Sequence, residues 1–131
     1  MTDQGRADAI ERWRETVRSR DPSRLDALLA EDVVFLSPVV HAPQRGKAIT
    51  TKYLGAALAV FGGSDFRYVE QWIGAASAVL EFVTTIDGVE VNGVDIIGWN
   101  AEGRIDRFKV MVRPLKAIDI VRQRMAAALM G

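Results

Sequence analysis

The chain has 131 residues, 49% hydrophobic and 26% charged, the profile of one ordinary globular domain with a single core rather than of a disordered or fibrous protein. Its 17 Lys plus Arg balance its 17 Asp plus Glu, so no net field draws it to nucleic acid or to an anionic membrane. It has no cysteine, which excludes disulfides, zinc-thiolate sites and cysteine nucleophiles. The stretch Met1 to Arg14 is charged and lacks the apolar core of a signal peptide, and no apolar run approaches membrane-spanning length. The expectation is a cytoplasmic protein with neither a membrane nor a nucleic acid as partner.

Ala7, Ile10, Trp13 and Val17 recur at three- and four-residue steps among charged residues and predict an amphipathic helix. Asp21-Pro22 supplies an N-cap and a first-turn proline for a short helix with Leu25, Leu28 and Leu29 inward, ended by Glu31-Asp32. Val33 to Leu36 reads as a strand, broken by Ser37-Pro38 and followed by an irregular segment through Val40, His41 and Pro43 as far as Gly46. Ile49, Tyr53, Ala56, Ala57 and Val60 mark a third helix over 47–61, stopped at Gly62-Gly63.

Residues 65–113 change character, with four β-rich runs at about 66–73, 77–86, 89–99 and 104–113. Asp87-Gly88 is a two-residue hairpin signal, because a type I′ turn requires positive φ at both central positions. The segment 100–103 is a longer turn, and Pro114 ends the last strand before a closing helix with Leu115, Ile118, Val121, Met125 and Leu129. Helices first and an antiparallel meander second describe an α+β domain, in which the helices cover one face of the sheet.

Pairing Ile86 with Val89 sets Leu80 opposite Asp95, and pairing Trp99 with Arg104 sets Asp95 opposite Phe108. One sheet face then carries Ala78, Leu80, Phe82, Gly93, Asp95, Ile97, Trp99, Phe108, Val110 and Val112, and is expected to meet the helices. The other carries Val79, Glu81, Val83, Asn92, Val94, Ile96, Arg107, Lys109, Met111 and Arg113, with Glu81 and Lys109 in reach of each other over Val94; it is left to solvent or to a second subunit. A single bulge would exchange the two faces beyond it.

Asp95 is a carboxyl among apolar neighbours, so its pKa should rise and it can serve as a general base or, protonated, as a donor. The same residue can instead be satisfied structurally by a backbone amide, Trp13 Nε1 or a buried water. His41 is the one histidine and offers an acid–base or orienting role, or is a plain loop residue. Ser37 offers a hydroxyl to the pocket or forms a turn, and Trp13, Phe35, Tyr53, Trp72, Phe82, Trp99 and Phe108 are pocket wall or core. No phosphate loop, nucleophile elbow or metal-ligand spacing is present, so neither metal nor cofactor is expected.

Four strings in order carry a resemblance: 25–35 leading a helix into a strand, Ser37-Pro38 before Gly46-Lys47-Ala48-Ile49, Gly93-Val94-Asp95 before Glu102-Gly103-Arg104-Ile105, and Val112-Arg113-Pro114-Leu115. Together they cover almost the whole chain, which resembles the nuclear transport factor 2-like superfamily and its SnoaL-like group. The resemblance implies a conical, cystatin-like fold, a strongly bent sheet wrapped around helices with a deep pocket, and often a homodimer formed through the sheet. It implies a small apolar molecule as ligand and cofactor-free isomerase, hydrolase, dehydratase or cyclase chemistry, or a non-catalytic interaction module. The ketosteroid isomerase pattern meets Ser37 where it has an aspartate, Trp13 where it has a tyrosine and the neighbourhood of Asn92 where it has a second aspartate. Of the epoxide hydrolase's Asp-Arg-Asp pattern this sequence keeps an acid at Glu81, with Val79 and Val110 in the other two places.

Overall fold

Ile10 and Trp13 are buried on one side of α1 (Asp3–Ser19), with Val17 packed beside them, in a computed structural model that describes residues 3–63 and 65–130. The side chain of Ala7, expected to open that stripe, lies outside the described residues, as do Met1 and Thr2. Asp21 caps the next turn by accepting the Ser23 amide at 3.0 Å, and the 3-10 turn Pro22–Arg24 runs into α2 (Leu25–Leu28), which buries Leu25 and Leu28.

The following strand, β1 (Leu29–Leu36), begins earlier than its β-branched residues suggest, at Leu29 rather than Val33. The reason is non-local: Leu29 pairs with Ile105, and Arg104 donates to the Leu29 carbonyl at 3.4 Å. Within the segment expected to be irregular, a two-residue strand β2 (Gln44–Arg45) pairs with Val34 and Phe35. Gly46, at φ 104, then turns the chain into α3 (Lys47–Phe61).

The meander follows as β3 (Arg67–Ile73), β4 (Ser77–Ile86), β5 (Val89–Trp99) and β6 (Ile105–Arg113), before α4 (Leu115–Met130). Asp87 and Gly88 both have positive φ, 50° and 79°, as the type I′ turn requires. The six strands form one curved sheet in the order β2-β1-β6-β5-β4-β3, antiparallel except where β1 runs parallel to β6.

Between β4 and β5 the register is the expected one, Ile86 with Val89 and Leu80 with Asp95. Between β5 and β6 it is not. Trp99 pairs with Ile105 instead of Arg104, and an irregularity between Gly98 and Trp99 adds a second one-residue shift, so Asp95 faces Val110 and Phe108 faces Ile97. Two shifts of one residue restore the parity of a period-two strand, and Phe108, Val110 and Val112 stay on the Asp95 face. The same shift sets Glu81 in line with Val94 and Met111, and Lys109 beside Ile96. Glu81 therefore accepts the Asn92 amide at 3.0 Å instead of meeting Lys109.

The inner face holds the core. Ile10, Trp13, Leu25, Leu28, Leu54 and Leu58 of the first three helices pack against Leu80, Ile97, Trp99 and Phe108, while Ala117, Val121 and Met125 of α4 cover Phe82, Ile86 and Val91. Among the described residues, no helix is long and apolar enough to cross a membrane.

Candidate functional site

The packing leaves a cavity of about 390 Å³ between α1, α3 and the inner face of the sheet. Its apolar walls are Leu58 and Phe61 of α3 with Phe66, Phe82, Phe108 and Val110 of the sheet side. A cavity of this volume with mainly apolar walls is the usual form of a small-molecule site. Gly93 helps shape it, because a Cβ there would stand 2.5 Å from Phe82 Cζ, in the space the ring occupies.

Asp95 lies mid-strand in β5, 6% exposed, and lines the cavity. Tyr68 pairs with Phe82 on β4, and its phenol passes over that strand to donate to Asp95 Oδ2 at 2.6 Å. Trp13 Nε1 in turn donates to the Tyr68 oxygen at 2.9 Å. The indole is set by an edge contact with Phe108 at 4.8 Å, and the phenol by an edge contact with Phe66 at 5.2 Å and the Arg14 guanidinium 5.3 Å from its centroid.

Burial pushes the Asp95 carboxyl up to about 7, against the opposing pull of the Tyr68 hydrogen bond. Tyr68 is held well above the ordinary phenol value by burial first, then by the charge of Asp95 and its bond to it. Asp95 lines the cavity, and among the described residues no donor reaches its Oδ1, which leaves that oxygen for a ligand.

Of the residues singled out from sequence, Asp95, Trp13, Phe82 and Phe108 come together at the cavity. Phe35 and Tyr53 pack on each other at 5.7 Å in the core, and Trp99 is buried with its Nε1 unpartnered among the described residues; none of the three lines the cavity. Three more of them lie outside the cavity lining. Ser37 Oγ accepts the Val39 amide at 3.1 Å and forms a turn. His41 is exposed in the segment after β1 and away from the cavity lining. Trp72 is 54% exposed on the outer face, because a bulge between Tyr68 and Glu70 exchanges the faces of β3 beyond it.

That bulge also explains why sequence reasoning missed Tyr68. Tyr68 and Trp72 are four residues apart and share a face in a regular strand; the extra residue turns Tyr68 inward and Trp72 outward. The spacing of Phe66 and Tyr68 at the start of an aromatic run was the available signal.

Residues 10–108 match the family model of the SnoaL-like domain. A steroid delta-isomerase from Pseudomonas aeruginosa is 35% identical over 96% of this chain and 92% of that one, with a TM-score of 0.91. An uncharacterised bacterial protein with a cystatin-like fold from Silicibacter pomeroyi is also 35% identical, over 97% and 89%, with a TM-score of 0.88. A nuclear transport factor 2-like protein of Mesorhizobium loti, 21% identical over 85% and 93% at a TM-score of 0.73, shares the fold. Among curated proteins none matches. The chain belongs to the SnoaL-like domain family, on the cystatin-like, nuclear transport factor 2-like fold.

Proposed function

We propose that the chain binds a small, largely apolar molecule in this cavity and moves a proton to or from it with Asp95, as a cofactor-free enzyme of isomerase, hydrolase, dehydratase or cyclase type. The observation that carries the reading is a buried carboxyl that lines an apolar-walled cavity, with one oxygen held by Tyr68 and the other without a donor among the described residues. At about 7, its pKa leaves both protonation states populated near neutrality, which suits a group that must take up and return a proton. Trp13 and Tyr68 act by position: the indole fixes the phenol, and the phenol fixes the carboxyl. The steroid isomerase relative supports the class of chemistry.

The experiment is turnover of a β,γ-unsaturated steroid ketone, followed by the ultraviolet absorbance of its conjugated product, in wild type and Asp95→Asn. Loss of a positioned acid–base group is expected to slow turnover by about 100-fold or more. Equal rates in the two proteins would remove Asp95 from the chemistry.

A second property has its own observation. Trp72 and Met111, each 54% exposed, and Val69, 48% exposed, lie on sheet strands outside the helix-covered core. A large aromatic left open on a sheet marks an association surface. We propose that two copies associate through this face; in the rival reading, a non-catalytic module, the same face takes a different protein.

A further inference from the structure

The solvent side of the cavity is lined by four arginines, Arg14, Arg18 and Arg20 from the last turns of α1 and its end, and Arg67 from the first position of β3. Arg18 is committed to Glu15 at 2.8 Å. The other three have no carboxylate partner among the described residues. Arg14 donates to the neutral Gln71 amide at 3.0 Å, Arg67 donates to the Asp65 carbonyl at 3.0 Å, and the Arg20 side chain makes no hydrogen bond or ion pair there, its backbone N–H alone donating to the Val17 carbonyl. The nearby Asp65 carboxylate accepts Thr84 Oγ1 at 2.9 Å and the Thr85 amide at 3.4 Å. Among the described residues Asp95 is the sole acid lining the cavity, and it is buried.

This concentration is local, since the chain as a whole is neutral. The dipole at the end of α1 favours cations and accounts for basic residues at 18 and 20, but not for Arg67 on a strand or for Arg14 a turn earlier. Arg20 also has φ 53, the left-handed conformation that closes helices and that glycine or asparagine adopts at least cost. Its side chain runs past Gly62, where a Cβ would stand 3.0 Å from Arg20 Cδ. An arginine in a glycine-type backbone position, laid across a glycine toward a cavity, fits a functional demand better than a purely structural one.

Resting on the cavity being a ligand site, we propose that its ligand is amphiphilic: an apolar body that fills the aromatic interior, ending in an oxyanion bound by Arg14, Arg20 and Arg67. A guanidinium presents several N–H donors in a plane that matches a carboxylate, sulfonate or phosphate. The oxyanion end stays at the solvent side and the reactive part of the body lies against Asp95 Oδ1. Orientation in the cavity is thereby set by charge.

The test compares two fluorescent probes with one apolar body: anilinonaphthalene sulfonate, and the uncharged N-phenylnaphthylamine. Hydrophobic burial alone favours the uncharged probe. The arginines are expected to reverse that order, with the sulfonate bound about tenfold tighter at low salt and the difference shrinking in high salt. Arg20→Gln with Arg67→Gln should weaken the sulfonate about tenfold and leave the neutral probe unchanged. Ala57→Leu, which places bulk in the cavity, should weaken both probes. A neutral probe bound at least as tightly as the sulfonate, or arginine variants without effect, overturns the proposal while leaving the apolar ligand site intact. Sulfonate binding that survives Ala57→Leu places it elsewhere and also overturns it. Absence of binding by both probes overturns the ligand reading itself.

Discussion

Tyr68 and Asp95 are joined across an intervening strand: the phenol leaves β3, crosses β4 and donates to the Asp95 carboxyl of β5 at 2.6 Å. This bond opposes the burial that raises the carboxyl pKa. Tyr68→Phe should therefore move the Asp95 pKa further above about 7, which a carbon-detected NMR titration of the side-chain carboxyl measures. It also leaves Trp13 Nε1 without its acceptor, and a loss of about 1–3 kcal/mol of stability is expected in urea melts. A carboxyl pKa unmoved by Tyr68→Phe would contradict this account of the site.

Stability should depend on pH through the same carboxyl. Its folded pKa, about 7, lies above the unfolded value of 3.8, so the folded state holds the proton more tightly. The contribution is complete below about pH 4 and is lost as pH rises toward and through about 7. Asp95→Asn removes the cost of ionising a buried group while keeping an acceptor for Tyr68. The variant should be more stable than wild type above neutrality, by an amount on the order of a few kcal/mol, with the gap closing toward pH 4. Denaturant melts of both proteins across that range measure it, and parallel pH profiles would contradict it.

Gly93 admits no side chain. A Cβ there would stand 2.5 Å from Phe82 Cζ and 2.6 Å from the Met111 carbonyl, which belongs to the neighbouring strand. Gly93→Ala should cost about 1–3 kcal/mol through overpacking and displace the Phe82 ring. Chemical denaturation reads the cost, and aromatic NMR shifts read the ring.

Trp72 separates association from folding. It is 54% exposed, so Trp72→Glu should change monomer stability by no more than about 0.5 kcal/mol while shifting sedimentation from dimer to monomer. A wild-type protein that sediments as a monomer at all accessible concentrations would remove the proposed association.

His41 supplies a contrast to Asp95. It is exposed and away from the cavity lining, so His41→Ala should leave probe affinity and turnover within about twofold of wild type. A large loss of turnover would instead give His41 the acid–base role that its sequence left open.

Much of this protein was legible in the order of its residues. The helix over 47–61, the runs that became β4 and β5, and the Asp87-Gly88 turn follow from local preferences, and the alternation along β4 and β5 was enough to bury Asp95 among apolar neighbours. The rest depends on pairings between distant segments. β1 starts at Leu29 because Ile105 is there to pair with it. One extra residue in β3 sends Tyr68 in and Trp72 out, and two shifts between β5 and β6 cancel. The Tyr68–Asp95 bond spans 27 positions, and Arg67 joins the arginines of α1 only once the sheet curls beneath the helix. Local sequence sets the period and breaks of each strand; register, bulges and what remains unfilled between helix and sheet are decided by the packing of the whole chain.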